Sequence, residues 1–218
     1  MKRHWICRHF HAARLCATRC RQRGAALAIT LIMLVAVLLL GVSAARLALQ
    51  NEKASRNDRD RQIAFQAAEA ALMDAELDIE NSPDAAKSRS HIFSKDSALG
   101  FPGEGEAPCR AGAGNLYLGL CGHQSNGATP AWQTVDFLDD GASTMQSVPY
   151  GRFTGQVFQT GKGALPIRLP RYVIELVTFN RQGESADRGS YFYRVTAIGF
   201  GPRDTAQVVL QTFYRKED

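Results

Sequence analysis

The chain has 218 residues, enough to bury one modest core, and carries 26 Lys and Arg against 21 Asp and Glu, for a net charge of +5. The positive balance comes from residues 1–24, which hold seven basic residues and no acidic one, so the rest of the chain is slightly acidic. Because nucleic-acid binding depends on clustered basic residues, the composition argues against a nucleic-acid partner.

An uncharged apolar run of 21 residues, 25–45, follows the basic segment. About twenty apolar residues cross a bilayer as a helix, and a lone segment has no other way to satisfy its backbone polar groups. We therefore predict a leader at 1–24 and a transmembrane helix at 25–45. Since Lys and Arg are denser before the run than after it, the leader is expected on the cytoplasmic side and the remaining chain outside.

A cleaved signal peptide is the main alternative for this segment. Small residues at 43–45 could serve as its cleavage site, which would leave a secreted protein. The apolar run is longer than the usual core of a signal peptide, and the helical pattern continues beyond it. These two features favour the anchor.

The helix is predicted to continue as an amphipathic segment, 46–82. No Pro occurs between residue 25 and Pro83, and the residue before Pro avoids helical geometry. Apolar residues recur at intervals of 3, 4, 3 and 4 along one expected face, which the sheet should cover. These residues are Phe65, Ala68, Leu72, Ala75 and Ile79.

Residues 83–150 are rich in Gly, Pro, Ser and Asp, and we predict mostly irregular structure there. Cys109 and Cys121 would close a short loop, and two such cysteines usually pair in an oxidising compartment. Two free thiols are the alternative. A zinc site is not favoured, because CxxC spacing is absent and His123 alone adds too few ligands.

The last segment, 151–218, changes to Val-, Ile-, Phe-, Tyr- and Thr-rich stretches separated by turn residues. We predict strands at 152–159, 171–180, 190–200 and 206–214, forming one antiparallel sheet. The sheet and the amphipathic helix each need an apolar partner, so the expected fold class is α+β with the helix packed on the sheet.

No catalytic constellation is recognised in the sequence, and we predict a protein that is not an enzyme and needs no cofactor or metal. Glu69 and Glu76 would need a cleft to act as an acid–base pair, and a solvated helix flank is the simpler interpretation. The acidic residues Asp136, Asp139 and Asp140 precede a glycine, and a polar turn is favoured over calcium binding because the EF-hand pattern is absent.

The start of the chain resembles the class III signal of type IV pilins and pseudopilins. In both, basic residues are followed by a glycine, here Gly24, and then by an uninterrupted apolar helix. The segments QRGAAL at 22–27 and RDRQIAFQAAEAAL at 59–72 are similar to the PilX family of minor pilins. The segments YRVTA at 193–197 and DTAQVVLQ at 204–211 resemble that family's last strands. The resemblance implies the pilin fold, a long helix with an antiparallel sheet on its outer half.

Processing and position in a filament follow from the same resemblance. It implies that a prepilin peptidase cuts after Gly24 and that Ala25 becomes N-methylated. Major pilins carry Glu as the fifth residue after the cut, and this chain has Ile29 there. A charged amine inside an apolar bundle needs a partner, which Ile29 cannot supply, so a place at the filament tip or in an initiating complex is expected.

The resemblance further implies an inner-membrane single-pass protein with a periplasmic domain that later joins a pilus. Its expected partners are the major pilin, other minor pilins, the peptidase and membrane lipid, and its expected roles are pilus initiation, twitching motility and adhesion. Two alternatives remain open at this point. One is a type II secretion pseudopilin of the K type, and the other is a single-span exported binding protein unrelated to filaments.

Overall fold

The computed structural model describes residues 25–103, 105–123, 129–179 and 190–216. The predicted leader, including Gly24, lies outside these residues. The chain divides into two units after Glu52, and most of the folded structure belongs to the unit that begins at Lys53. The order of elements is α1 (Ala25–Glu80), β1 (Leu120–Cys121), α2 (Ala131–Thr134), β2 (Val148–Pro149), β3 (Arg171–Phe179), β4 (Ser190–Phe200) and β5 (Gln207–Tyr214).

The helix α1 is continuous over 56 residues, as the missing prolines predict. It ends at Glu80, three residues before Pro83. In its last four turns one face is buried, and that face is made mainly of alanines. The buried alanines are Ala64, Ala67, Ala68, Ala71 and Ala75.

The sheet is built on β3, which has partners on both edges. β4 pairs antiparallel with one edge of β3 and β5 pairs antiparallel with β4, in the registers Glu175↔Arg194 and Ala197↔Leu210. The other edge of β3 receives β2 antiparallel and β1 parallel. The α+β arrangement is confirmed, and the sheet is mixed rather than purely antiparallel because of the two-residue strand β1.

The predicted strand at 152–159 is wrong. Residues 151–154 form turns, and the chain then continues without regular pairing to the start of β3. Gly151 and Gly155 have positive φ values of 75° and 71°, which is the left-handed region and cannot be part of an extended strand.

Two apolar clusters lie on opposite faces of the sheet. The larger one joins the alanine face of α1 to Tyr172, Ile174, Tyr193 and Val195. The smaller one covers the other face and contains the two cysteines with Val173, Ile198 and Phe200. Both faces of β3 are therefore buried, which explains why its sequence is apolar at consecutive positions rather than at alternate ones.

Candidate functional site

The first part of α1 exposes its apolar side chains on all sides. Leu31, Leu38 and Leu40 are 60%, 58% and 70% exposed. The mean hydropathy of the most apolar window is 2.9, and the helix is long enough to cross a membrane. Its two hydroxyls are satisfied internally, because Thr30 donates to the Leu27 carbonyl and Ser43 donates to the Leu39 carbonyl. The segment therefore fits a single-pass anchor.

Ala25 and Ile29 lie in the first turns of this helix. Ala25 is the first described residue of α1, and Ile29 is 57% exposed. The side chain of Ile29 therefore points into the surroundings of the helix, where it offers no charge to a neighbouring molecule.

The contact between α1 and the sheet is closest at Gly199 on β4. A Cβ atom at this position would lie 2.0 Å from the Ala64 carbonyl oxygen and 2.3 Å from the Ala68 amide nitrogen. Only glycine fits such a backbone-to-backbone approach, and alanines are required on the helix opposite it. Sequence periodicity did not find Gly199, since it lies inside an otherwise regular strand pattern.

The expected helix face agrees only partly with the buried one. Ala68, Ala75 and Ile79 are buried, and Leu72 is partly buried. Phe65 is 42% exposed, so its assignment to the buried face is wrong. Gly199 of β4 packs against the side of the helix that carries the smallest residues. Phe65 lies about 60° or more away from that side around the helix axis.

A buried ion pair joins the end of α1 to the following segment. Arg89 and Asp78 are both fully buried, and the Arg89 Nη2 atom lies 2.7 Å from Asp78 Oδ2. Arg89 also donates to the carbonyl oxygens of Leu116 and Leu118, at 3.0 and 2.7 Å. Its guanidinium lies 3.7 Å from the centre of the Phe153 ring. One side chain therefore connects the helix, the loop before β1 and the turn at 151–154.

Tyr172 completes this cluster from β3. Its hydroxyl donates to Asp78 Oδ2 at 2.8 Å. Burial raises the pKa of Tyr172 well above its ordinary value, and the nearby Asp78 charge raises it further. The phenol therefore keeps its proton and remains a hydrogen-bond donor to the carboxylate.

Asp74, one turn earlier on α1, is buried without a basic partner among the described residues. It accepts hydrogen bonds from the Thr154 hydroxyl and from the Gly151 amide, the latter at 2.8 Å. Burial raises the pKa of the Asp74 carboxyl above its ordinary value, although the hydrogen bonds from Thr154 and Gly151 lower it. These contacts fix the turn that the sequence pattern had indicated as a strand.

Cys109 and Cys121 form a disulfide, with their Cα atoms 4.0 Å apart. Cys121 belongs to β1, so the disulfide ties residue 109 to the edge of the sheet. A closed loop of this length stabilises a fold by about 3 kcal/mol in the chain-entropy account. The prediction of a disulfide is confirmed.

The acidic residues before Gly141 form a turn with ion pairs. Asp139 Oδ1 accepts from the Gly141 amide at 2.8 Å. Asp140 pairs with Arg171 and, at 3.5 Å, with Arg168. Within the described ranges, no group of three His, Cys, Asp or Glu residues is arranged to hold a metal ion.

Two family models match the chain, at opposite ends. The model described as PilX N-terminal matches residues 23–72, which cover most of α1. The model described as type IV pilus assembly protein PilX C-term matches residues 117–216, from just before β1 to beyond β5. Together the two models, which belong to one family, match more than half of the chain. The N-terminal model matches the helix and the C-terminal model matches the sheet, as expected for this family.

The chain belongs to the PilX family. PilX proteins of this kind are minor pilins of the type IV pilus and form a structural family. No curated protein and no solved structure matches the chain. The PilX matches include Gly24, Ala25, Ile29, Gly199 and the buried alanines as far as Ala71, whereas Ala75, Arg89 and Cys109 lie in the unmatched stretch between them.

Proposed function

We propose that this chain is a minor pilin that takes part in starting type IV pilus assembly, in a priming complex that ends at the filament tip. The proposal rests on its PilX membership and on one residue in particular. Ile29 occupies the fifth position after the proposed cut, where major pilins carry a glutamate. Functions in twitching motility and adhesion follow from this role, and catalysis is not part of it.

Processing is proposed to occur at the start of α1. A prepilin peptidase cuts after Gly24 and Ala25 becomes the methylated N-terminus. The basic segment that ends at Gly24 and the uncharged apolar run that follows it support this proposal. Before assembly, the exposed apolar side chains of 25–45 hold the subunit in inner-membrane lipid.

The same helix is proposed to move from lipid into the core of the filament. Lipid tails are as apolar as leucine side chains, so close packing must contribute to helix association. Gly41 has open space around its Cα atom, and the Ser43 hydroxyl donates a hydrogen bond to the Leu39 carbonyl of the same helix. Both residues allow another helix to come close.

A periplasmic location of the domain after α1 is proposed from two observations. The basic residues are densest in the leader, which favours a leader on the cytoplasmic side. The Cys109–Cys121 disulfide is typical of an oxidising compartment. The segment 83–150 is then available to major pilin and other minor pilins.

Mass spectrometry of the mature N-terminus tests this proposal. We expect a chain that begins at Ala25 and appears in sheared filaments. A mature chain that begins at Met1 indicates a plain membrane anchor, and one that begins near Arg46 indicates a secreted protein. Either of these results overturns the assignment to pilus assembly.

A further inference from the structure

The sheet face that points away from α1 is covered over only part of its width. On β3 and β4 this face lies under the smaller apolar cluster, where Val173 and Ile198 are 0% and 5% exposed. On β5 the face is open, and Val209 and Phe213 are 46% and 65% exposed. Val209 pairs with Ile198 in the β4–β5 register, so the cover ends between these two strands.

Two arginines and two phenylalanines alternate on the open part of this face. Arg194 of β4 lies directly opposite Phe213 of β5, and residues opposite each other in a sheet point to the same face. One residue pair farther along, the Arg215 guanidinium lies 5.7 Å from the centre of the Phe192 ring. We call these four residues the Arg–Phe patch.

Arg194 is held in position by a buried carboxylate. Its Nε and Nη2 atoms donate to the Oε2 and Oε1 atoms of Glu175 at 3.2 and 2.5 Å, and Glu175 is 1% exposed. The Nη1 atom of Arg194 has no hydrogen-bond partner among the described residues. A side chain that is already ordered loses less conformational entropy on binding, so Arg194 is preorganised for a further acceptor.

Arg215 adds a charge that no acid neutralises within the described ranges. Its one hydrogen bond there is to the Ser190 hydroxyl, at 3.5 Å, and it forms no ion pair. Since the acid that pairs with Arg194 is buried beneath it, the surface that a partner meets at the Arg–Phe patch is positive and aromatic.

This combination distinguishes between the classes of partner. A contact between the same patch on two copies of the chain would bring arginines against arginines. Single-stranded nucleic acid binds aromatic side chains within a wider basic surface, and the chain beyond the leader is slightly acidic. Arginine and aromatic residues are enriched at protein–protein interfaces, where charge complementarity requires acidic groups on the other side.

We infer that the Arg–Phe patch binds another protein through a segment in which a carboxylate lies next to an apolar side chain. Arg215 and the free Nη1 atom of Arg194 bind the carboxylate, and the apolar side chain packs on Phe213. Because the patch faces away from α1, this partner lies on the opposite side of the sheet from the helix. The inference goes beyond the proposed function, since this contact is separate from the helix packing by which the chain would join a filament.

Photo-cross-linking in cells that produce the full-length chain tests this inference. The photo-reactive p-benzoylphenylalanine at position 213 keeps an aromatic side chain in the patch. We expect an adduct with a peptide of another protein that contains Asp or Glu beside an apolar residue. The same amino acid at position 99, where Leu99 is 56% exposed and lies outside the patch, is the matched control and should not give this adduct.

Charge exchange then tests the role of the carboxylate. Arg215→Glu should lower the yield of the adduct about tenfold, because two carboxylates would then face each other. The midpoint of thermal unfolding should stay unchanged, since Arg215 forms no ion pair within the described part of the chain. Replacement of the acidic residue in the cross-linked peptide by Lys should restore the yield in the presence of Arg215→Glu.

Several results overturn the inference. They are the absence of an adduct at position 213, an adduct with a second copy of this chain or with nucleic acid, a yield that Arg215→Glu leaves unchanged, and a yield that the Lys replacement does not restore. Each of them leaves the proposed pilus function intact if the mature chain begins at Ala25. A chain that begins at Met1 and still gives the adduct overturns the pilus function alone, so the two failures are distinguishable.

Discussion

The two buried carboxylates of α1 are stabilised in different ways. Asp78 has Arg89 within ion-pair distance and Tyr172 as an additional donor. Asp74 has only neutral donors, Thr154 and the Gly151 amide. A buried charge is tolerated when a cation or hydrogen bonds replace its hydration, and the two carboxylates meet this condition with different partners.

Arg89→Met should destabilise the fold strongly. It leaves the Asp78 charge buried without its cation, and breaking such a pair costs about 3–5 kcal/mol. Urea unfolding of the full chain in detergent, followed by circular dichroism, measures this loss. Arg152→Met, at an exposed arginine, is the control and should cost about 1 kcal/mol or less. Equal losses in the two variants would contradict a special role for Arg89.

Asp74→Asn should change the pH dependence of stability. Because the folded pKa of Asp74 is raised, its contribution to stability is fully present below the ordinary aspartate pKa and is lost as the pH rises through the folded pKa. The variant lacks this loss, so its stability relative to the unsubstituted chain should increase from acidic to neutral pH. Thermal unfolding of both chains over that range measures the difference, and a constant difference would contradict the argument.

At the scale of elements, the helix and the strands β3, β4 and β5 are predictable from sequence. Their apolar patterns and the turn residues between them are local signals. The segment 152–159 shows a similar composition, but Phe153 contacts Arg89 and Thr154 binds Asp74. These partners are distant in sequence, so the local pattern could not reveal that the segment is a turn.

The buried face of α1 illustrates the same limit. Periodicity correctly indicates an amphipathic helix but centres its apolar face on the larger side chains, including Phe65. The structure centres the face on alanines, because Gly199 brings the β4 backbone against the backbone of α1. The two-residue strands β1 and β2 are too short for any periodic signal.

Gly199→Ala should separate α1 from the sheet. The added methyl group would meet backbone atoms of Ala64 and Ala68, which cannot rotate away. Overpacking of this kind typically costs about 1–3 kcal/mol. The midpoint of thermal unfolding of the full chain measures this cost. Gly114→Ala, where no atom lies within 4 Å of the added carbon, is the control and should behave like the unsubstituted chain.

At the scale of the whole molecule, the proposed place in a priming complex depends on Ile29. Ile29→Glu would restore a carboxylate on an exposed position of the apolar helix. If the missing carboxylate restricts the subunit to the priming complex, the variant should become distributed along filaments, where it can pair with a neighbouring amine. Immunogold labelling of filaments measures this distribution, and unchanged number and position of labels would contradict the proposal.

The close backbone contact of Gly199 with Ala64 and Ala68 has a mechanical consequence. Tension applied along α1 would have to slide β4 past the backbone atoms of Ala64 and Ala68, which lie in close contact with Gly199. Many contacts would then have to yield together instead of one after another. The sheet and the part of α1 that packs on it should therefore resist an applied force as one mechanical unit.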